Sequence, residues 1–540
     1  MKRFRGALGA MASAILLAAC GGTNTDTAPI NDSTVHGTLV ENPPLRIASV
    51  DAAAFQAQLA STTAGQQLLQ VTGNPICGVD FYYLKFYTVG AANEATESSG
   101  ALMVPTGAAG TCSGPRPIVL YAHGTQTLQT LNLADVTNTA NTEGALIAAM
   151  FAAQGFIVVA PNYAGYDISK LGYHPFLNAT QQSGEMMDSL TAARTALPKT
   201  FAASTTDSGK LFITGYSEGG HVAMATLRAM QAAGATVTAA APMSGPYALE
   251  AFGDAIFFGK VNLGSTVFAP LITTSYQHAY NNIYTATTDV YSSTYATGID
   301  TLLPNATPID TLFQQGKLPQ TALFDSTTPV VTVPGNPTLS TVLTAALAVP
   351  SDPNNPQTPL FDLGFGNPYL VNNDYRVSYA LDAAANPDGA VATPPVSGAP
   401  LAATAPTQTL RKALYLNDLR NGAWAPMVPT LLCGGDQDPT VFFSVNTQTM
   451  AAFWSAEVSA GLITVLDVGA TPAGPFAPIQ TGFQTSQAQL LAFYESAAGG
   501  SLSPALAAQQ LVEGYHTNVA PFCSLAARSF FATVLQGPQP

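Results

Sequence analysis

The chain has few charged residues for its length. Asp, Glu, Lys and Arg make up 9% of its 540 residues, against roughly 25% in ordinary globular proteins. The 18 basic residues form no cluster and the net charge is −14. This argues against a nucleic-acid-binding protein, because phosphate binding needs grouped Lys and Arg. With 47% hydrophobic residues, the chain can bury a large core and carry inserts.

Long apolar runs are scarce as well. Beyond the N-terminus, no run of 18 apolar residues occurs, so a membrane-spanning helix is not expected. At the N-terminus itself, Lys2, Arg3 and Arg5 precede an apolar stretch that ends at Ala19. This stretch is too short to span a membrane in the mature protein, and the pattern is typical of a secretory signal.

The end of this stretch, Leu-Ala-Ala-Cys at 17–20, resembles the lipobox of bacterial lipoproteins. The resemblance implies that residues 1–19 are a signal peptide and that Cys20 carries acyl chains, which would anchor the protein to the bacterial cell envelope. Cys20 is followed by Gly21 and not by Asp, which in such lipoproteins favours sorting to the outer membrane. Residues 20–45 are predicted to form a flexible tether, since they are rich in Thr, Asn, Asp and Pro. The alternative is an ordinary secretory signal with a chance cysteine.

Cysteine is also rare, with five residues in the chain. An even number remains after Cys20, and in an exported protein four cysteines suggest two disulfides. Three pairings are possible. The favoured one joins segments that the fold below brings together, namely Cys77 with Cys112 and Cys433 with Cys523. No Cys-x-x-Cys motif and no histidine cluster suggests a zinc site, and no metal is expected.

Short apolar strands alternate with helices along much of the chain. The strands are predicted at 117–122, 156–160, 211–214 and 237–241, and the alternation resumes at 429–433 and 462–468 before a last helix at about 521–536. This rhythm predicts an α/β fold in which helices cover both faces of a mostly parallel sheet.

The alternation breaks at about residue 246. Residues 247–425 are aromatic-rich at first and then rich in Pro, Thr and Asn. They are predicted to form a large cap, or lid, inserted between two parts of one core, 46–246 and 426–540. A separate domain is the alternative, but it would leave both parts of the core incomplete.

Residues 215–219 have the sequence Gly-Tyr-Ser-Glu-Gly, which matches a Gly-x-Ser-x-Gly nucleophile elbow. The turn between strand and helix in such an elbow is so tight that the residues two away from the serine must be small. A predicted strand precedes the motif here and a helix follows it, as the motif requires. Ser217 is therefore predicted to be a nucleophile. The alternative is a surface serine in a glycine-rich turn.

A serine nucleophile needs a base and an acid that orients the base, and after an elbow of this kind they follow in the order Ser, acid, His. The chain has six histidines. His516 lies beyond the last predicted strand, whereas the others lie in the tether or the cap, precede Ser217 or follow it within its own helix. His516 is therefore the predicted base, and a surface loop histidine is the alternative.

The acid is predicted in the segment that follows the strand at 429–433. Asp438 has a glycine and a valine at the spacing that this position favours, and Asp436 is its rival. The tetrahedral intermediate also needs two backbone N–H donors. One is predicted at Glu218 and the other at Thr125, with Gly124 as the alternative. His123 and Gly124 could instead only shape a turn.

With these residues in place, the core resembles the α/β-hydrolase superfamily over roughly 80–540, and more narrowly the secretory lipase (lipase-A-like) family. The residues that carry the narrower resemblance are 155–166, 173–177, 187–194, the elbow and 424–438. Asn162 stands where Asp is commoner, and Glu218 stands where Gln is often seen. The resemblance implies hydrolysis of acyl esters, a cap over the pocket and no cofactor.

These residues predict a serine carboxylic-ester hydrolase, a lipase or esterase that works through an acyl-enzyme intermediate. The aromatic, weakly charged cap favours esters with apolar acyl groups as substrates, either small molecules or lipids. Two alternatives stay open. One is a serine peptidase of the prolyl type, and the other is a non-catalytic lipoprotein that binds ligands on a hydrolase scaffold.

Overall fold

The structure is a computed structural model. It describes residues 35–537, except 137, 139–140, 353–354, 356, 392–399, 423, 456, 460 and 497–500. The predicted signal peptide, Cys20 and the first part of the predicted tether lie outside the described residues.

Within the described residues, nine strands form one sheet in the order β1-β2-β3-β5-β4-β6-β7-β10-β11. In this sheet β5, β4, β6, β7, β10 and β11 run parallel to one another, while β1, β2 and β3 pair antiparallel at one side. Two short strands, β8 and β9, pair separately. The eleven strands are β1 Leu45–Val50, β2 Gly78–Val89, β3 Ala95–Thr106, β4 Gly114–Ala122, β5 Ile157–Pro161, β6 Thr205–Tyr216, β7 Ala239–Met243, β8 Phe324–Asp325, β9 Phe365–Gly366, β10 Thr430–Gly434 and β11 Ile463–Asp467.

Helices cover the sheet on both faces. The α-helices in the described part of the chain are α1 Ala52–Ala60, α2 Thr63–Thr72, α3 Thr142–Met150, α4 Ala179–Ala196, α5 Glu218–Ala232, α6 Leu249–Phe257, α7 Ser265–Tyr280, α8 Ile309–Gln314, α9 Pro337–Ala346, α10 Thr358–Asp362, α11 Asn373–Ala385, α12 Thr409–Asn417, α13 Thr449–Trp454, α14 Ala477–Glu495, α15 Pro504–Glu513 and α16 Tyr515–Gln536.

The central strands read as continuous apolar runs because they are buried on both sides. In β4, Val119 packs into the core beneath α3 and α16, whereas Ile118 and Leu120 pack into the core beneath α4 and α5. Alternate residues of a strand point to opposite faces, so a strand covered on both faces needs apolar residues at every position. The structure confirms the predicted α/β fold class.

Residues 244–429, here called the inserted segment, add no strand to the main sheet in the part that the structure describes. They contain helices α6 to α12 and have their own apolar core, which includes Leu249, Leu271, Tyr276 and Tyr379. The inserted segment begins after β7 and ends before β10. The domain limits predicted at 246 and 426 stay a prediction.

The prediction of a flexible tether is wrong for its last residues. Gly37 N–H donates to Tyr87 O at 3.0 Å, and Val40 N–H donates to Lys85 O at 2.8 Å, so this segment lies along β2. His36 Nδ1 lies 3.3 Å from Asp188 Oδ2. The polar composition resembles that of a linker, but backbone pairing at a sheet edge does not depend on apolar side chains.

Helix α16 is the one helix in the described residues that is long and apolar enough to cross a membrane. Its Cys523 forms a disulfide with Cys433 of β10, and Phe522, Ala526 and Phe531 pack in the core under the sheet. These contacts are those of a core helix, which passes the same length and composition test.

Candidate active site

Ser217 lies in the turn between β6 and α5 and has an unusual backbone conformation. Its φ is 61° and its ψ is −124°, a combination that non-glycine residues rarely adopt and that stores strain. A Cβ on Gly215 would lie 2.3 Å from Gly219 O, and one on Gly219 would lie 2.0 Å from Ala122 O. Only glycine fits at either position, so the turn has the packing of a nucleophile elbow.

Asp438 follows β10 and is held by its own loop. Its Oδ1 accepts the N–H groups of Thr440 at 2.9 Å and Val441 at 3.0 Å. Its Oδ2 lies 2.6 Å from His516 Nδ1, and the carboxylate is buried. The rival residue, Asp436, lies 3.4 Å from the Tyr515 hydroxyl, which donates to it. The structure therefore brings His516 to Asp438.

His516 lies in the first turn of α16, beside the elbow. The Tyr216 hydroxyl donates to the His516 carbonyl oxygen, and the two rings lie with their centroids 4.9 Å apart. Because a carboxylate only accepts, Nδ1 donates to Asp438, and in the neutral ring Nε2 is then the nitrogen with the free lone pair. Nε2 is buried and has no hydrogen-bond partner among the described residues. The structure thus leaves a base nitrogen unpaired, and Ser217 Oγ does not contact it through a hydrogen bond.

Both favoured disulfides are present. Cys77 is joined to Cys112, and Cys433 is joined to Cys523. The second bond ties β10, which leads to Asp438, to the helix that carries His516. It therefore limits the movement of His516 relative to Asp438.

Two backbone N–H groups of residues that line the cavity have no acceptor within the described chain. They belong to Thr125 and Glu218, and both residues line the same cavity as Ser217. The N–H of Gly124 instead donates to Glu143 Oε1 at 3.0 Å. Gly124 is therefore not free to bind an oxyanion, which favours Thr125 as the second donor.

Glu143 is a site residue that sequence reasoning missed. Besides Gly124 N–H, its Oε1 accepts the Tyr121 hydroxyl at 2.9 Å. It thereby fixes the loop after β4 from the first turn of α3. No local pattern marks Glu143, because its partners lie about twenty residues away in the sequence.

An apolar cavity of about 110 Å³ opens beside Ser217. Most of its wall comes from the inserted segment, above all from α6 and α7. The lining residues are Thr125, Phe176, Leu177, Ser217, Glu218, Pro246, Leu249, Phe252, Gly253, Ile256, Phe257, Asn262, Ser265, Phe268, Ala269, Ile272, Val290, Leu323, Val371, Tyr375, Leu410, Leu414, Thr440 and Val441. A wall of this kind suits an apolar ligand group.

The other histidines have different surroundings. His221 is buried, with Nε2 3.0 Å from Asn417 O, and burial lowers its pKa to about 4. His278 stacks on Tyr173 with ring centroids 3.7 Å apart. His123 and His174 are buried beside the elbow. Within the described residues, no group of three or more His, Cys, Asp or Glu is arranged to hold a metal ion.

Residues 144–260 match the prolyl oligopeptidase family, Peptidase_S9. The matched stretch runs from α3 to just beyond α6 and includes the elbow. No curated relative matches the chain.

Similar solved structures include two that cover most of the chain. The rice cell wall degrading esterase LipA from Xanthomonas oryzae is 25% identical, with a TM-score of 0.59 over 80% of this chain and 91% of LipA. A protein from Legionella pneumophila is 16% identical, with a TM-score of 0.59 over 93% of this chain and 99% of that one. The first match supports a hydrolase, and the second supports the fold.

The chain thus has an α/β-hydrolase fold. Its fold and its matches support a hydrolase of the esterase or lipase type.

Proposed function

We propose that this protein is a serine carboxylic-ester hydrolase with Ser217, Asp438 and His516 as its catalytic triad. The observation that carries the proposal is the pair of His516 and the buried Asp438, 2.6 Å apart, next to a strained serine that opens on an apolar cavity. A serine is a weak nucleophile without such a base. The likeness to an esterase at 25% identity supports the same conclusion.

In the proposed reaction, Ser217 Oγ attacks the ester carbonyl and His516 Nε2 takes the hydroxyl proton. Asp438 holds the ring by its Nδ1–H and stabilises the imidazolium that forms. The Thr125 and Glu218 N–H groups bind the oxyanion. His516 then gives the proton to the leaving alcohol, and water, activated by the same ring, releases the acid from the acyl-enzyme. A hydrogen bond from Ser217 Oγ to His516 Nε2 has to form on substrate binding, since catalytic hydrogen bonds are often completed only in the substrate complex.

The substrate class follows from the cavity wall. Leu249, Ile256, Phe268 and Leu414 are among the aliphatic and aromatic side chains that face the space beside Ser217. An apolar acyl group placed there would leave water at a gain of about 25 cal/mol for each Å² of apolar surface buried. We therefore propose that the substrates are esters of apolar acids. We also propose that the chain belongs to the secretory lipase family, which its residues 155–166, 173–177, 187–194 and 424–438 resemble.

The test is hydrolysis of p-nitrophenyl esters from acetate to palmitate. We expect Ser217→Ala to lower kcat by about 10³-fold or more. Ser208→Ala, at the far end of β6, is the matched control and should keep wild-type rates. If Ser217→Ala retains a rate within tenfold of the wild type, Ser217 is not the nucleophile.

The match of residues 144–260 to the prolyl oligopeptidase family favours a second candidate, a serine peptidase of that type. The same triad would then cleave an amide. Parallel assays with prolyl p-nitroanilide peptides and p-nitrophenyl esters distinguish the two, because a peptidase would prefer the peptides in kcat/KM. A chain that reacts with neither, and whose Ser217 resists a fluorophosphonate, would be the non-catalytic lipoprotein.

We also propose that Cys20 is lipidated and that the protein is anchored in the outer membrane of the bacterial cell envelope. The lipobox-like residues 17–20 support this proposal. Growth of expressing cells with a labelled fatty acid should label the wild type, whereas Cys20→Ala should stay unlabelled and leave the membrane fraction. Equal labelling of both would overturn the proposal.

A further inference from the structure

A buried hydrogen-bonded network lies directly behind the elbow. Its members, here called the oxyanion network, are His123, Tyr163, His174, Gln182 and Glu218. The side chains of His174 and Glu218 are 0% and 1% exposed. A buried carboxylate is costly unless it is paired and hydrogen-bonded, so its presence one residue from the nucleophile calls for an explanation.

The pairing of Glu218 is specific. Its Oε1 lies 2.7 Å from His174 Nε2 and accepts Gln182 Nε2 at 2.6 Å. Burial alone would raise the pKa of Glu218, but the charge and hydrogen bond of His174, together with His123 and the Gln182 hydrogen bond, outweigh burial, and the net shift of the pKa is downward. Glu218 is therefore a carboxylate.

The contacts of His174 show where its protons lie. Its Nδ1 is 2.9 Å from Ala164 O, and its Nε2 faces the Glu218 carboxylate. A carbonyl oxygen and a carboxylate both only accept, so both ring nitrogens must donate. His174 is then an imidazolium, and it neutralises Glu218.

The network reaches the other side of the oxyanion site through stacked rings. Tyr163 lies between His174 and His123, with centroid distances of 5.5 and 4.0 Å. His123 Nδ1 lies 2.6 Å from Gly124 O and its Nε2 lies 3.1 Å from Asn162 O. A carbonyl oxygen only accepts, so each of these hydrogen bonds needs an N–H of the ring. The Gly124 carbonyl and the Thr125 N–H belong to the same peptide group. In a trans peptide the C=O and N–H point in opposite directions, so the hydrogen bond to Gly124 O directs the Thr125 N–H away from His123.

We propose that the oxyanion network positions the N–H groups of Thr125 and Glu218 and neutralises the carboxylate beside them. An unpaired negative charge one residue from Ser217 would oppose the oxyanion that forms in the transition state. The His174 proton removes this opposition, while the network fixes both donors. This inference rests on the proposed function and extends it, because it assigns roles to residues that do not touch the substrate.

The test compares single and double variants of the charged pair. His174→Gln should lower kcat by about 10-fold or more, with KM changed less than threefold, because oxyanion donors act mainly in the transition state. Glu218→Gln in the same chain removes the unpaired carboxylate, so the double variant should regain a large part of the lost kcat. A purely structural role would instead make the double variant no better than the single one.

The peptide beside His123 supplies a second test. His123→Ala should lower kcat, whereas His123→Asn, which keeps a donor near the position of Nδ1, should recover most of it. Inhibition by phenylboronic acid, which forms a tetrahedral adduct on a reactive serine, should weaken in proportion to kcat/KM across these variants. Circular dichroism melting curves show which variants are folded.

Glu94→Gln is the matched control. Glu94 accepts the hydroxyl of Tyr173, the residue before His174, without touching the oxyanion network, and this variant should keep wild-type kcat. If the wild type hydrolyses esters but His174→Gln and His123→Ala, both folded, keep its kcat and its boronic acid inhibition, the inference is wrong. If the wild type hydrolyses no ester at all, the proposed function fails first.

Discussion

The α/β core and the inserted segment place their buried charges differently. In the core, the site has two ionisable pairs close to Ser217. They are His516 with Asp438 and His174 with Glu218. In the inserted segment, the buried charges avoid the cavity altogether. Most of the buried acidic and basic residues lie around two arginines, Arg411 with Glu250, Asp254 and Asp382, and Arg420 with Asp388 and Asp418. A third buried arginine, Arg376, donates to Phe257 O and lies over the Phe324 ring.

Helix α6 explains the difference. Phe252, Ile256 and their neighbours form one face of this helix and line the cavity, while Glu250 and Asp254, four residues apart, face Arg411. Residues four apart lie on the same side of a helix. One helix thus supplies apolar side chains to the cavity wall and carboxyl groups to the buried cluster around Arg411. Under the proposed function, the core would perform the chemistry and the inserted segment would bind the substrate.

The largest expected effect is on the core. Asp438→Asn should lower kcat by about 10²-fold or more, because the amide no longer holds the correct tautomer of His516. Asp436→Asn is the control, since Asp436 contacts Tyr515 and not the base, and its kcat should change less than threefold. Steady-state kinetics on one p-nitrophenyl ester measure both. Equal losses in the two variants would mean that the acid is wrongly assigned.

In the inserted segment, Arg411→Ala should lower the free energy of unfolding by about 3–5 kcal/mol, because it leaves buried carboxylates without their counter-ion. Arg194→Ala is the control. Arg194 pairs with Asp207 at the surface, where an ion pair contributes about 0–1 kcal/mol. Urea unfolding curves give both values. If Arg411→Ala lowers the free energy of unfolding no more than Arg194→Ala does, the buried cluster around Arg411 does not stabilise the inserted segment.

A bulky residue in the cavity wall should change specificity and leave the chemistry intact. Ala269 of α7 lines the cavity, and Ala269→Phe should lower kcat/KM for long-chain esters about 10-fold, a loss typical of a filled apolar site. The rate on acetate should hardly change. Ala345→Phe, at an exposed position of α9, should alter neither. A uniform loss on all chain lengths would show that the inserted segment affects the chemical step.

The last expected effect concerns the pH dependence of stability. Burial raises the pKa of Glu250 to about 9, Arg411 opposes this shift, and Asp254 adds to it. The folded chain therefore keeps a proton that the unfolded chain loses near its ordinary pKa of 4.5. As pH rises between these values the folded state loses stability, by about 1.4 kcal/mol per unit for this group alone.

Glu250→Gln should remove this contribution, so its unfolding free energy should fall less steeply than that of the wild type between about pH 7 and 9. Chemical unfolding at several pH values measures both slopes. Parallel curves for the two proteins would contradict a protonated Glu250.

Much of the core was predictable because its signals are local. The apolar strands, the elbow around Ser217 and the spacing that selects Asp438 each lie within a few residues. The start of α16 was not predictable in this way. Pro521 marks the expected start of the last helix, since proline disfavours a helix interior, yet the helix begins at Tyr515 and includes Pro521. His516 is thus on a helix and not in a loop.

Contacts between distant segments could not be predicted from the sequence, because no local pattern marks them. Glu143 and His174 contact partners that only the fold brings close. Glu143 has no motif of its own, and residues 173–177, which carry part of the family resemblance, do not show what His174 pairs with. The helices of the inserted segment were not located, because buried carboxylates and arginines interrupt the apolar period that marks a helix. Arg411 and Glu250 read as surface residues until the structure shows their pairing.

The most direct measurement is to map the residue that reacts with a fluorophosphonate. The protein is treated with the reagent while ester hydrolysis is followed, and the peptides are then identified by mass spectrometry. We predict a single adduct on Ser217 that forms in step with the loss of hydrolysis. Full hydrolysis with Ser217 labelled, or loss of hydrolysis with the adduct on another residue, would contradict the assignment of Ser217 as the nucleophile.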